Sequence, residues 1–168
     1  MLRAPRADET EQLLALAVET GLFTPEDAEA LLGSVLAGHH AGGLGEGHEC
    51  MVYADPDGGQ PVGWTYYAPD QYAANVWNLW WIGVQPSRHG TGAGRALLHH
   101  AESQAAAAGA RLLIIETSSL PPMGRARRFY EREGYMECGR IPDFYGDGDN
   151  KVIFAKRLQP DRPPAGPI

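Results

Sequence analysis

The feature that most constrains this chain is a strand-like run ending at Val84, followed by a short loop with glycines at 90, 92 and 94 and then, almost at once, a helical pattern. Glycine lets backbone amides turn inward with no Cβ in the way, and the unpaired N–H groups of a helix start add the positive end of its dipole. This is the design of an anion site. Spacing excludes two nucleotide motifs. A dinucleotide fingerprint needs a glycine three residues after the second glycine, and this chain has Arg95 three after Gly92 and Leu97 three after Gly94. A Walker A loop ends in Gly-Lys-Ser/Thr, and here Gly94 is followed by Arg95 and Ala96. On this segment alone, a tight loop with no ligand is the bland alternative.

Periodicity and punctuation supply the surrounding elements. An extended start at residues 2–4 leads to a helix that Asp8 can cap, with Leu13, Leu14, Ala17 and Val18 at helical spacing and Gly21 at its end. Thr24, Pro25, Glu26 and Asp27 offer an N-cap, a first-position proline and first-turn acids for a second helix reaching about Ala37. Residues 38–47 read as glycine-rich loop. Strands are expected over 49–54, 62–68 and 76–84 with antiparallel connections, and a helix runs from Gly94 to a stop at Gly109. The apolar run 112–117 reads as a central strand covered on both faces. A helix over 125–133, stopped by Gly134, and strands over 135–141 and 152–158 complete the pattern.

The fold class is therefore α/β in the α+β sense, with a mixed, mostly antiparallel sheet flanked by helices. One domain spans 1–158, and the proline-rich stretch 159–168 reads as a flexible tail. The 168 residues are enough for one sizeable core. A formal net charge of −7 argues against a nucleic-acid partner, because phosphate binding draws on clustered Lys and Arg. It suits a cationic or neutral small partner. Cys50 and Cys138 form no CxxC pair and read as small apolar strand residues in a reducing compartment. Residues 1–10 lack the apolar core of a signal peptide and no run has the length of a bilayer span, so a soluble, cytoplasmic protein is expected. No metal is expected either. His39-His40 and His99-His100 are adjacent pairs that cannot face one ion from regular structure.

The stretch Ile82-Gly83-Val84-Gln85-Pro86-Ser87-Arg88-His89-Gly90-Thr91-Gly92-Ala93-Gly94-Arg95-Ala96-Leu97-Leu98 resembles the coenzyme-binding motif Q/R-x-x-G-x-G/A of the GNAT N-acetyltransferase superfamily. Ala126-Arg127-Arg128-Phe129-Tyr130-Glu131-Arg132-Glu133-Gly134-Tyr135 resembles its second signature, A-x-x-F/Y-Y-x-x-x-G-F/Y. The resemblance implies an acetyl-CoA cosubstrate whose pyrophosphate lies on His89, Gly90, Thr91, Gly92, Ala93, Gly94 and Arg95. It also implies a pantetheine arm along a splayed strand, served by backbone groups of Ile82, Gly83 and Val84, one of them a donor to the thioester oxygen. Two positions depart from the pattern. His89 stands where the family usually has Gln or Arg, and Met123 stands where an Asn commonly contacts the pantetheine arm.

Acetyl transfer to an amine needs a neutral nitrogen, a stabilised oxyanion and a proton for the departing thiolate. By resemblance Tyr130 is the general acid; the alternative makes it only part of its helix's apolar stripe. Glu116, at the mouth of an apolar strand, suits a general base and matches a strand Glu of relatives resembling the ribosomal-protein alanine acetyltransferases. A solvated Glu116, with a water chain removing the proton, stays open. Trp77, Trp80 and Trp81 alternate faces along one strand, so at least one is core. Tyr66, Tyr67, Tyr72, Trp80 and the acidic loop 143–149 are candidates for the acceptor side. The expected activity is N-acetylation of a small-molecule primary amine by direct attack in a ternary complex, with a homodimer left open. The competing readings are a catalytically silent acetyl-CoA sensor, a peptide or protein N-terminal acetyltransferase, and a structural interaction module.

Overall fold

The computed structural model describes residues 1–158, so the tail expected at 159–168 lies outside the described residues. Seven strands in a mostly antiparallel sheet and five α-helices give the mixed α/β class. The chain divides into two compact units. The first holds Met1–Pro69 with Asn78–Ala101, and the second holds Asp70–Trp77 with the chain from Glu102 onward.

The first unit begins with β1 (Leu2–Arg3) and α1 (Thr10–Glu19). The cap of α1 differs from expectation. Asp8 sits inside a 3-10 turn, Ala7–Glu9, and the carboxylate that takes a free backbone amide is Glu9, accepting from Arg6 N at 3.0 Å. Glu9 is held from the other side by the Arg3 guanidinium, with its oxygens 2.8 Å from Nη1 and 2.5 Å from Nη2. Hydrogen bonds from Arg3 come first, then that from Arg6, and they hold the Glu9 carboxyl below the usual carboxylate range against the cost of its burial. A carboxylate whose folded-state pKa is lowered stabilises the fold above its unfolded value and loses that contribution as pH falls through the folded one. Glu9→Gln is therefore expected to lower stability at pH 7 by about 1–3 kcal/mol and to flatten the acid-side decline of the melting temperature. Thermal melts across pH 3–7 measure both.

Thr24 caps the next helix as expected, its side chain accepting from Asp27 N, with Pro25 at the first position. The helix runs as α2 (Pro25–Ala28), a π-helical turn (Glu29–Gly33) and α3 (Ser34–His40), so it continues a turn past the predicted end. Strands β2 (Glu49–Ala54) and β3 (Pro61–Pro69) pair antiparallel, and β4 (Val76–Val84) keeps its predicted ends. Leu13, Leu16, Ala17, Leu32 and Leu36 of the helices pack on Cys50, Val52, Trp64 and Trp81 of the strands. Burial of such side chains stabilises by roughly 1.5–3 kcal/mol each, and the one polar atom carried in by Trp64 is satisfied by donation from Nε1 to Leu13 O at 3.0 Å. A second cluster sets the start of α4 (Ala93–Ala107): Ala93 and Leu97 pack on Val62 and Val84. The long helix is thus anchored where it meets the glycine loop.

In the second unit β5 (Leu112–Ser118) and β7 (Asp149–Arg157) pair antiparallel, and β6 (Met136–Gly146) pairs with β7 at the sheet's edge. The two-sided cover expected for residues 112–117 is not found. Leu113, Ile115 and Thr117 are buried, whereas Leu112 and Ile114 are half-buried and Glu116 is exposed, so the run alternates despite its apolar composition. Helix α5 (Gly124–Arg132) lies on the buried face, where the Tyr130 ring meets Phe154 at 5.7 Å between centroids. The acidic loop expected over 143–149 is part of a hairpin: β6 runs to Gly146 and β7 begins at Asp149. Both cysteines are free thiols. Cys50 is the buried strand residue expected, its thiol pushed up to about 12 by burial, but Cys138 is exposed on β6. No helix among the described residues is long and apolar enough to cross a membrane.

Candidate active site

The expected coenzyme residues all lie in the first unit. After β4 the chain makes a 3-10 turn, Pro86–Arg88, and then passes through Gly90 at φ +80° and Gly92 at φ +89° into α4. These are left-handed conformations that a side chain rarely adopts, and nothing lies within 4 Å of where a Cβ would sit at either. The loop is shaped from within. Thr91 Oγ1 donates to Arg88 O at 2.7 Å, Arg88 pairs with Asp55 of the β2–β3 turn, and Ala96 N closes onto Gly92 O at 2.9 Å. His89 is held at two points here: its amide donates to Pro86 O at 3.3 Å and its ring Nε2 lies 3.0 Å from Val84 O. That accounts for a histidine at a position usually held by Gln or Arg. Its ring ties the loop back to the end of β4.

Along β4, Gly83 has a packing reason of its own. A Cβ there would fall 2.3 Å from Cζ2 of Trp81, whose indole folds over it. Trp77 and Trp81 face inward, at 6% and 5% exposure, and Trp80 faces out at 55%, which is the alternation expected of one strand. Of the aromatics expected on the acceptor side, Tyr66 and Tyr67 of the first unit do not share a surface. Tyr67 is fully buried and donates to Glu49 Oε2 at 2.7 Å, the Tyr66 hydroxyl is 2.8 Å from His48 Nδ1, and Tyr72 is almost wholly exposed. Cross-strand partners set the first two apart: Tyr66 pairs with Cys50 and Tyr67 with Glu49, on opposite faces.

Both expected catalytic residues lie in the second unit. Tyr130 is buried among Phe129, Tyr135 and Phe154, and its hydroxyl makes no hydrogen bond among the described residues. Burial pushes the phenol above its ordinary range, so it keeps its proton at any working pH. Such a group can donate a hydrogen bond to a developing thiolate, and gives up the proton only as negative charge accumulates beside it. Glu116 is on the other face of the same ladder. Ile115 pairs with Phe154, which touches Tyr130, while Glu116 pairs with Ile153 on the half-exposed side. The two side chains thus lie on opposite faces of the ladder.

One residue of this face escaped the sequence reading. Lys151 Nζ lies 2.6 Å from Glu116 Oε2, a diagonal contact across β5 and β7. Only the register reveals it, since 34 positions separated two residues whose types signal nothing by themselves. The acidic hairpin is also more internally committed than its composition implies. Asp149 Oδ1 accepts from Ser118 Oγ at 2.5 Å and Ser119 N at 3.2 Å, and Asp143 Oδ1 accepts from Gly148 N at 2.8 Å. Among the described residues no three His, Cys, Asp or Glu side chains group to hold a metal.

A family model for the acetyltransferase (GNAT) family matches residues 12–135, and the chain belongs to that family. No curated protein matches it in sequence. Among solved structures, one described as a GNAT-family acetyltransferase from Desulfovibrio desulfuricans is 29% identical, with a TM-score of 0.84 over 95% of this chain and 99% of that one. An aminoglycoside 6'-N-acetyltransferase complexed with coenzyme A is 18% identical, with a TM-score of 0.77 over 97% and 99%. The ribosomal-protein-S18-alanine N-acetyltransferase from Escherichia coli is 17% identical, with a TM-score of 0.68 over 98% and 97%. The last two likenesses speak to the fold alone.

Proposed function

We propose that the protein transfers the acetyl group of acetyl-CoA to a small primary amine that carries a further positive or polar group. The observation that carries this reading is the loop of Gly90 and Gly92, left-handed and open where side chains would be, leading into the first turn of α4 in a chain of the GNAT family. Within residues 89–95 the His89 and Thr91 amides are turned onto Pro86 O and Arg88 O, so the glycine amides of the loop and the first amides of α4 would hold the coenzyme's pyrophosphate, and backbone groups of Ile82, Gly83 and Val84 would serve its pantetheine arm and thioester oxygen. Charge-assisted hydrogen bonds of about 1.5–3 kcal/mol each give such a cradle its affinity.

The acceptor arrives as an ammonium and gives one proton to Glu116. Its nitrogen then bonds to the thioester carbonyl carbon, and the C–S bond breaks. Tyr130 supplies the proton that the sulfur takes up, and the nitrogen's second proton, passing through solvent, restores the phenol. One proton leaves with each turnover through Glu116. The net charge of −7 draws cationic acceptors by long-range steering.

Release of free coenzyme A across polyamines, aminoglycosides, amino acids and short peptides tests the activity. Turnover is expected with the cationic small amines, and turnover of peptides alone would overturn the acceptor class. Within the active set, Glu116→Gln is expected to lower turnover by about 10²-fold. Wild-type turnover in this variant would assign the proton to a water chain.

A further inference from the structure

The half-exposed face of the β5–β7 ladder holds an ammonium in surroundings suited to one. Lys151 Nζ is 2.6 Å from Glu116 Oε2, 3.7 Å from the centre of the Phe144 ring and 6.0 Å from that of Tyr145. The two rings meet edge to face, 5.0 Å apart. Their placement is built into the hairpin. The β6–β7 register shifts between Ile141 and Gly146, and a bulge of this kind re-aims the side chains it carries. Asp143, at φ +52°, anchors it by donating its amide to Asn150 Oδ1 at 3.0 Å and accepting from Gly148 N. One carboxylate and two aromatic faces attract a cation and repel an anion. The walls reach solvent, with Phe144 at 50% and Tyr145 at 48% exposure, while the Lys151 side chain they cover is at 13%.

We propose that this cage is the subsite for the reacting ammonium of a cationic primary-amine acceptor, and that Lys151 is a tethered placeholder which the acceptor displaces. The inference rests on the reading of Glu116 as the base. A base must touch the nitrogen whose proton it takes, and the nitrogen that touches Glu116 in the free protein is that of Lys151. The lysine stem is four carbons long and flexible, so the head can swing to solvent without moving β7. A placeholder holding the cage nine-tenths of the time weakens an incoming ammonium by about tenfold. It also favours turnover: acetylation turns the bound nitrogen into a neutral amide, which the cage no longer attracts, and Lys151 returns as the product leaves.

Calorimetry with 1,4-diaminobutane as the probe tests this on the wild type, Lys151→Met and Lys151→Arg, with release of coenzyme A followed in parallel. Lys151→Met is expected to bind the diamine about tenfold more tightly with unchanged affinity for coenzyme A, whereas Lys151→Arg, which keeps the cation, gains nothing. Adding Phe144→Ala or Glu116→Gln to Lys151→Met should abolish the gain. Lys151→Gln repeats the measurement with a second neutral side chain, and a cooperative thermal transition identifies the folded variants. Equal or weaker diamine binding by the folded neutral variants overturns the placeholder. The two readings fail separately. Tighter binding with no acetyl transfer to any amine would leave the cage standing and remove the reaction, and amine turnover with no tightening would do the reverse.

Discussion

Gly92→Val is expected to abolish measurable binding of coenzyme A while the protein stays folded. At φ +89° the backbone of residue 92 is in a region where a β-branched side chain costs about 1–3 kcal/mol, so the substitution pushes the loop away from the shape that aims its amides. The same position has nothing within 4 Å of a built Cβ, so the valine meets no core and the fold has no packing reason to fail. Losing two charge-assisted hydrogen bonds of about 1.5 kcal/mol each already weakens binding by roughly a hundredfold. Gly94→Val, in the first turn of α4, is expected to act in the same direction. Gly109→Val is the control, because its φ of +87° and open surroundings carry the same strain with no phosphate to hold. Calorimetric titration with coenzyme A beside thermal melts gives the answer, and wild-type affinity in Gly92→Val would remove the pyrophosphate from this loop.

Tyr130→Phe is expected to lower turnover by about 10²-fold or more, with little change in coenzyme affinity or melting temperature. Phenylalanine keeps the ring that packs on Phe129, Tyr135 and Phe154, and the hydroxyl it removes makes no hydrogen bond among the described residues. Stability therefore has no reason to fall. A purely structural tyrosine would leave turnover alone as well, which makes the kinetic loss diagnostic. The pH dependence adds a sign. Burial raises the phenol above its ordinary range, so its neutral form persists to higher pH and Tyr130 contributes no basic limb within the working range. Single-turnover rates across pH should thus fall by the same factor everywhere in Tyr130→Phe. Wild-type turnover in the variant would make Tyr130 a core residue only.

How much of this protein was legible before its structure depends on how local the physical cause was. Strands 49–54 and 76–84 keep their predicted ends, because turn residues on both sides interrupt them and those signals act over a few positions. The glycine loop was legible for the same reason: only glycine tolerates a left-handed backbone, so Gly90 and Gly92 announce one. Thr24 as a cap followed from its neighbours, whereas the Asp8 cap failed because Arg3, on β1, draws Glu9 into an ion pair that no helix-start rule contains.

Everything that depended on which residues face each other was decided by tertiary structure. Residues 112–117 looked fully covered because an apolar run cannot say whether anything lies on its second face. The acidic stretch 143–149 reads as a loop because its aspartates and glycines are turn residues, and pairing with β7 extends β6 into it. Tyr130 and Glu116 could each be named from motif and position, but their placement on opposite faces follows from the pairing of Ile115 with Phe154. Lys151 acquires meaning only in the same register. By itself the sequence determined the left-handed glycine turns and the chemical groups, since those depend on a residue and its near neighbours. The tertiary structure alone decided the encounters, because a one-residue shift of β7 against β5 would turn Lys151 to the other face, away from Glu116.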